Sequence, residues 1–189
     1  MDMTVSEAQA DMRRGYCSGG AGILASAIAW SIAAAVAILV SAQQAVWALL
    51  IGGMLIHPTA VLICKVLGAS GTHTKGNPLG SLAGSSTVWM ILCIPIAYFL
   101  GLNQVDWFFP AMLLIIGGRY LVFATLYGMN LYWALGFALA GAGIGLGYFA
   151  APAQLSTSVG AVLEALFAAV ALGQNRRSVQ VSPTAQPAA

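Results

Sequence analysis

Three residues of this chain stand where few side chains can take part in chemistry: Arg119, Glu164 and His57 each fall inside a long apolar run. A charge near the centre of a bilayer costs about 2.5–3.5 kcal/mol on insertion scales, so such residues usually face the interior of a helix bundle and pair there. One cation and one anion predict a pair with each other. Depth agrees. Arg119 lies twelve residues in from Trp107, roughly 18 Å at the helical rise, and Glu164 nine residues in from Leu155, roughly 13–14 Å. His57 is twelve residues in from Ala45 and reaches a similar depth. The three residues could share one layer, and a histidine that titrates near neutral pH would suit a proton-coupled role. The plainer reading is an ion pair that fixes helix register, with His57 neutral and bonded to a carbonyl freed by Pro58. Gly160, Ala161 and Ala168 stand at helical spacing around Glu164, and small residues let a neighbouring helix approach.

A second group lies in the polar stretch 71–78, where His73, Lys75 and Asn77 accompany two hydroxyls and flexible backbone amides. Such a loop suits an anion or a phospholipid headgroup. It is not a P-loop, because Lys75 is followed by Gly76. Its plainer reading is an ordinary polar loop with one lysine. Gly141, Gly143, Gly145 and Gly147 form two interleaved small-xxx-small pairs, which favour helix packing within the chain or between copies. Cys17, Cys64 and Cys93 have neither metal-ligand nor redox spacing. There is no H-E-x-x-H, no G-x-S-x-G and no paired intramembrane carboxylate, so neither catalysis nor a cofactor or metal is expected.

The elements that position these residues follow from composition. The chain has 189 residues, 60% hydrophobic and 6% charged. A soluble protein carries about 25% charged residues, so lipid must cover this surface. Apolar runs of about 20 residues predict an all-α integral membrane protein with six spans, at about 20–42, 45–67, 84–102, 108–128, 130–151 and 155–173. Residues 1–19 form an N-terminal segment able to make a short interfacial helix, 20–173 the membrane domain, and 174–189 a disordered tail. The connection 68–83 reads as a loop from its Gly, Ser and Thr content. With six spans, Arg13, Arg14, Lys65, Lys75, Arg176 and Arg177 share one side, and the loops of the other side hold no Lys or Arg. Both termini are therefore expected in the cytoplasm, in the inner membrane of a cell. The net charge of +2 gives no reason to expect nucleic acid. The expected partners are the bilayer, an unidentified small solute, and a second copy through small-residue faces.

Several strings occur together: Gly52-Gly53-Met54-Leu55-Ile56-His57-Pro58, Lys75-Gly76-Asn77-Pro78-Leu79, Trp107-Phe108-Phe109-Pro110-Ala111-Met112, Ile116-Gly117-Gly118-Arg119-Tyr120 and Thr125-Leu126-Tyr127-Gly128-Met129. With them the chain resembles an uncharacterised family of small bacterial multi-spanning membrane proteins over most of residues 11–150. That resemblance implies a six-helix membrane fold and carries no activity. Three classes of function remain, in this order: a small transporter or channel, a structural or accessory membrane protein, and a membrane enzyme.

Overall fold

In a computed structural model, which describes the backbone of residues 3–180 and the side chains of 3–175, seven α-helices account for most of the described residues. The first, α1 (Val5–Gly15), is short and amphipathic. Thr4 and Glu7 start it with a reciprocal capping box, in which Glu7 Oε2 accepts from the Thr4 amide at 2.8 Å and Thr4 Oγ1 accepts from the Glu7 amide at 3.4 Å. Cys17, Ser18 and Gly19 then take left-handed φ values of 52°, 55° and 78° and turn the chain into the membrane domain.

Six helices long and apolar enough to cross a membrane follow: α2 (Gly20–Leu39), α3 (Ala42–Val66), α4 (Pro78–Asn103), α5 (Phe108–Tyr127), α6 (Leu131–Tyr148) and α7 (Ala153–Gln180). The protein is thus a multi-spanning, all-helical membrane protein. Local chemistry sets the ends of these helices. Ser41 Oγ accepts from the Gln44 amide at the start of α3, and Gly128 ends α5 in the left-handed region. Asp106, on the single turn between α4 and α5, caps α7 from outside by accepting from the Ala153 amide at 2.7 Å. The expected spans match these helices closely except in α4, which begins at Pro78 instead of residue 84. Asn77 is its N-cap, accepting from the Leu79 amide at 2.9 Å, and Pro78 is its first residue. Gly80 and Ser81, within the stretch expected to be a loop, are helical. The expected disorder from 174 is corrected likewise over 174–180, which continue α7, while 181–189 lie outside the described residues.

Small residues set the packing. Gly52 of α3 lies against Ala29 of α2, and Gly160 of α7 lies against the Trp30 ring, with 2.8–2.9 Å from an added Cβ to the nearest atom in each case. Gly117 of α5 packs on Gly136 and Ala140 of α6. The order of neighbours is α3, α2, α7, α6, α5, α4, with α7 also touching α5. The two flanking helices, α3 and α4, meet at the end distant from α1 through Trp47 and Tyr98, whose rings are 6.2 Å apart. Ser18 Oγ donates to Asn175 Oδ1 at 3.0 Å, so the chain enters and leaves the bundle at the same end.

Of the four expected packing glycines, Gly143 sits against the Pro110 carbonyl and Leu114 of α5, and Gly147 touches Pro110 more lightly. Gly141 and Gly145 face away, with nothing within 4 Å of an added Cβ. Residues two apart on a helix lie about 200° apart, so two interleaved pairs cannot serve one interface.

Candidate functional site

Glu164 is fully buried where α7 meets α2 and α5, and neither carboxyl oxygen has a hydrogen-bond partner among the described residues. The hydroxyls of Ser26 on α2 and Tyr120 on α5 face the carboxyl closely enough to interact with it, but outside the geometry of a well-formed hydrogen bond. The seam between α2 and α7 runs antiparallel through this point. Gly160 meets Trp30, Glu164 meets Ser26, Leu172 meets Gly20, and Asn175 meets Ser18. Further along α7, Ser156 is also fully buried. The polar side-chain atoms left buried without a partner among the described residues are Trp30 Nε1, Ser156 Oγ, both Glu164 oxygens and Arg119 Nε. Trp30 Nε1 and the Glu164 oxygens lie on this one seam, and Ser156 stands about two turns along α7 from Glu164. Buried polar groups are bonded in the great majority of cases, so such a concentration is unusual.

Arg119 does not pair with Glu164. Its guanidinium points to α4, where Nη2 donates to Thr87 Oγ1 at 3.1 Å and Nη1 to Met90 Sδ at 3.6 Å, and its Cζ stands 5.0 Å from the Phe123 ring centroid. One residue on a helix turns the side chain by about 100°. On α5 that step gives Tyr120, not Arg119, to the Glu164 side. His57 is corrected too: it is exposed on α3 and does not share the enclosed layer of Glu164. Depth is a coordinate along the axis, and the direction around the axis depends on which helices become neighbours.

The stretch 71–78 has a structural partner that sequence reasoning missed, namely α1. Asp11 accepts from the Thr74 amide at 2.9 Å, Thr74 Oγ1 at 2.8 Å and Asn77 Nδ2 at 2.8 Å. Asn77 Nδ2 also donates to the Ala8 carbonyl at 3.0 Å. Tyr16 Oη and His73 Nδ1 share a hydrogen bond of 2.9 Å. On its other side α1 caps the end of α5: Gln9 Nε2 donates to the Thr125 carbonyl at 2.7 Å and Arg13 to the Tyr127 carbonyl. Asn77 and His73 therefore serve to dock α1, while Lys75 is exposed. An open groove of about 430 Å³ lies beside this contact, lined by Asp11, Arg14, Ser70, Thr72, His73 and Thr74 among others.

The chemistry of this docking predicts its pH range. The Asn77 amide first, then the Thr74 donors and the nearby Arg14 charge, hold the Asp11 carboxyl below the usual carboxylate range, against a smaller opposing effect of burial. A carboxyl lowered in the folded state contributes stability above its unfolded value, and that contribution is lost as pH falls through the lowered value. Docking of α1 should thus survive at about pH 4 and weaken only below it. Limited digestion with pepsin is expected to spare α1 at about pH 4 and cut it increasingly toward pH 2, while Asp11→Ala is cut across the whole range. Equal cutting of the two proteins at about pH 4 would contradict the assignment.

Cys17 and Cys64, distant in sequence, join one small buried cluster with Ala21, and both are free thiols. Among the described residues no group of three or more His, Cys, Asp or Glu is placed to hold a metal ion.

A family model matches residues 5–174. The chain belongs to the family of unknown function DUF7010. The matched region takes in α1 as well as α7 with Glu164, so the docked helix and the sixth span are both part of the family's unit. No match was found to a curated protein or to a solved structure.

Proposed function

We propose that this protein moves protons across its membrane, alone or together with a small solute, and that Glu164 is the carboxyl that takes them up and releases them. The observation that carries this reading is the enclosed Glu164 carboxyl, which has no well-formed hydrogen bond among the described residues and lies on the same seam as the unpartnered Trp30 Nε1. A carboxyl placed without partners in a low-dielectric interior is costly whether neutral or charged. Structure alone would favour an apolar residue there, and intramembrane ionisable residues usually mark ion or proton pathways. Ser156, Glu164, Ser26 and the Ser18–Asn175 pair would form the route along α2 and α7. The end that carries α1 faces the cytoplasm in this reading, since Arg13, Arg14, Lys65, Lys75, Arg176 and Arg177 all belong to it by position in the chain. The membrane is the inner membrane of a bacterium, and no catalytic role is assigned.

A second reading is favoured by the close α2–α7 packing at Gly160 and at Gly20. In it the protein is a structural or accessory membrane component, and Glu164 stays sealed. An apolar carbodiimide, which adds to carboxylic acids, separates the two readings. Proton traffic requires the seam to open transiently, so peptide mass spectrometry should find the adduct on Glu164 in the folded protein. Labelling that appears only after denaturation would leave the accessory reading standing and remove the proposed one.

A further inference from the structure

The exposure pattern along α3 is anomalous on one face. Val46, Gly53, His57 and Cys64 fall within a narrow arc of the helix, at about 100° per residue. Val46 and Cys64, toward the two ends, are buried, yet Gly53 and His57 between them are exposed. The neighbouring wall of α4 repeats the pattern. Tyr98 meets Trp47 at one end, and Gly80 lies against the His73 ring at the other. Between these two contacts, Gly84 and Ile91 are exposed. The flanking helices thus leave a lateral groove at mid-depth, closed at one end by the Trp47–Tyr98 contact.

A cation stands beside the α4 wall of this groove. Arg119 touches α4 at Thr87 and Met90, is half-buried, and no carboxylate pairs with it among the described residues. The depths match. Arg119 is eight residues from the end of α5 at Tyr127, Thr87 nine from the start of α4 at Pro78, and His57 nine from the end of α3 at Val66. At 1.5 Å per residue all three lie roughly 12–14 Å from the end that carries α1. A guanidinium at this depth gains from an anion, and its half-burial leaves part of it accessible. Gly53 and Gly84 have nothing within 4 Å of an added Cβ, which leaves room for an acyl chain.

We propose that the groove between α3 and α4 binds an anionic amphiphile from the bilayer, its acidic headgroup held by Arg119 with Thr87 and His57 and its chain lying over Gly53 and Gly84. The shared chemistry is an oxyanion on an acyl chain, either a phosphodiester lipid or a fatty acid. The site is distinct from the Glu164 seam, and its occupation is independent of proton movement.

Native mass spectrometry of the full chain in detergent, titrated with dioleoyl phosphatidylglycerol, oleate and dioleoyl phosphatidylcholine, tests the proposal. Phosphatidylglycerol or oleate should bind at least tenfold more tightly than phosphatidylcholine, and the one that does so identifies the source of the anion. Arg119→Gln should remove that preference. Because Arg119 also packs on Phe123, a second variant guards against misfolding. Gly53→Leu with Gly84→Leu fills the groove without touching the cation, and it should weaken binding of the anionic probe at least tenfold. Equal binding of anionic and zwitterionic probes, or unchanged binding in the filled variant, would overturn the site.

Discussion

Gly19→Ala is expected to leave little folded protein, with a loss of roughly 3 kcal/mol or more. Two effects add at this position. Gly19 has φ of 78°, where a residue with a Cβ is strained by about 1–2 kcal/mol. A Cβ there would also lie 1.9 Å from the Tyr132 hydroxyl and 2.7–2.9 Å from the Tyr127 ring. Neither tyrosine can yield. Tyr132 is fully buried and donates to the Ser18 carbonyl at 2.7 Å, and the two rings stack at 5.1 Å within an aromatic cluster that includes Tyr120 and Phe123. Gly68 separates strain from overlap. Its φ of 82° is similar, but nothing lies within 4 Å of an added Cβ, so Gly68→Ala should cost only about 1–2 kcal/mol. Thermal unfolding in detergent, followed by size-exclusion profile, checks both. Equal shifts in the two variants would show that the left-handed turn is strained but not wedged.

Glu164→Met is expected to make the protein more stable, by about 1–3 kcal/mol, while abolishing proton movement. The sign of the stability change is what matters. If Glu164 belonged to a register-fixing ion pair with Arg119, removing it would strand a buried cation and cost about 3–5 kcal/mol. The structure instead gives Arg119 to Thr87 and Met90 and leaves Glu164 with no well-formed hydrogen bond among the described residues. Methionine nearly conserves the volume and needs no hydrogen bond. Stabilisation together with loss of function is the signature of a residue kept for function rather than for packing. A destabilised Glu164→Met protein would contradict this placement of its cost.

Much of the fold was legible in the sequence, because hydrophobic length along the chain is what a bilayer selects. The six apolar runs became α2 to α7, and the N-terminal segment became α1. The misplaced start of α4 has a simple cause. Gly80 and Ser81 are poor helix formers in water, whereas a membrane helix accepts small and hydroxylated residues, and Asn77-Pro78 is a helix start rather than a turn. The site was legible only in depth. Arg119, Glu164 and His57 were each read as buried and unusual, but the angle around a helix axis is fixed by packing. A step of one residue therefore sends Arg119 to α4 and Tyr120 to the Glu164 side. Spacing could not reveal Asp11 either, since its partners Thr74 and Asn77 lie 63 and 66 residues away. The polar seam from Ser156 through Trp30 and Ser26 was missed for the same reason. Serine and tryptophan draw no notice in a membrane span until their neighbours are known.

The most direct test of the account is the rate of internal acidification after an external acid pulse, in vesicles that contain the purified protein and are held at zero membrane potential. Vesicles with the native chain should acidify at least tenfold faster than vesicles with an equal amount of folded Glu164→Gln protein, which should match protein-free vesicles. Equal rates for the native chain and Glu164→Gln would contradict the claim that Glu164 carries protons.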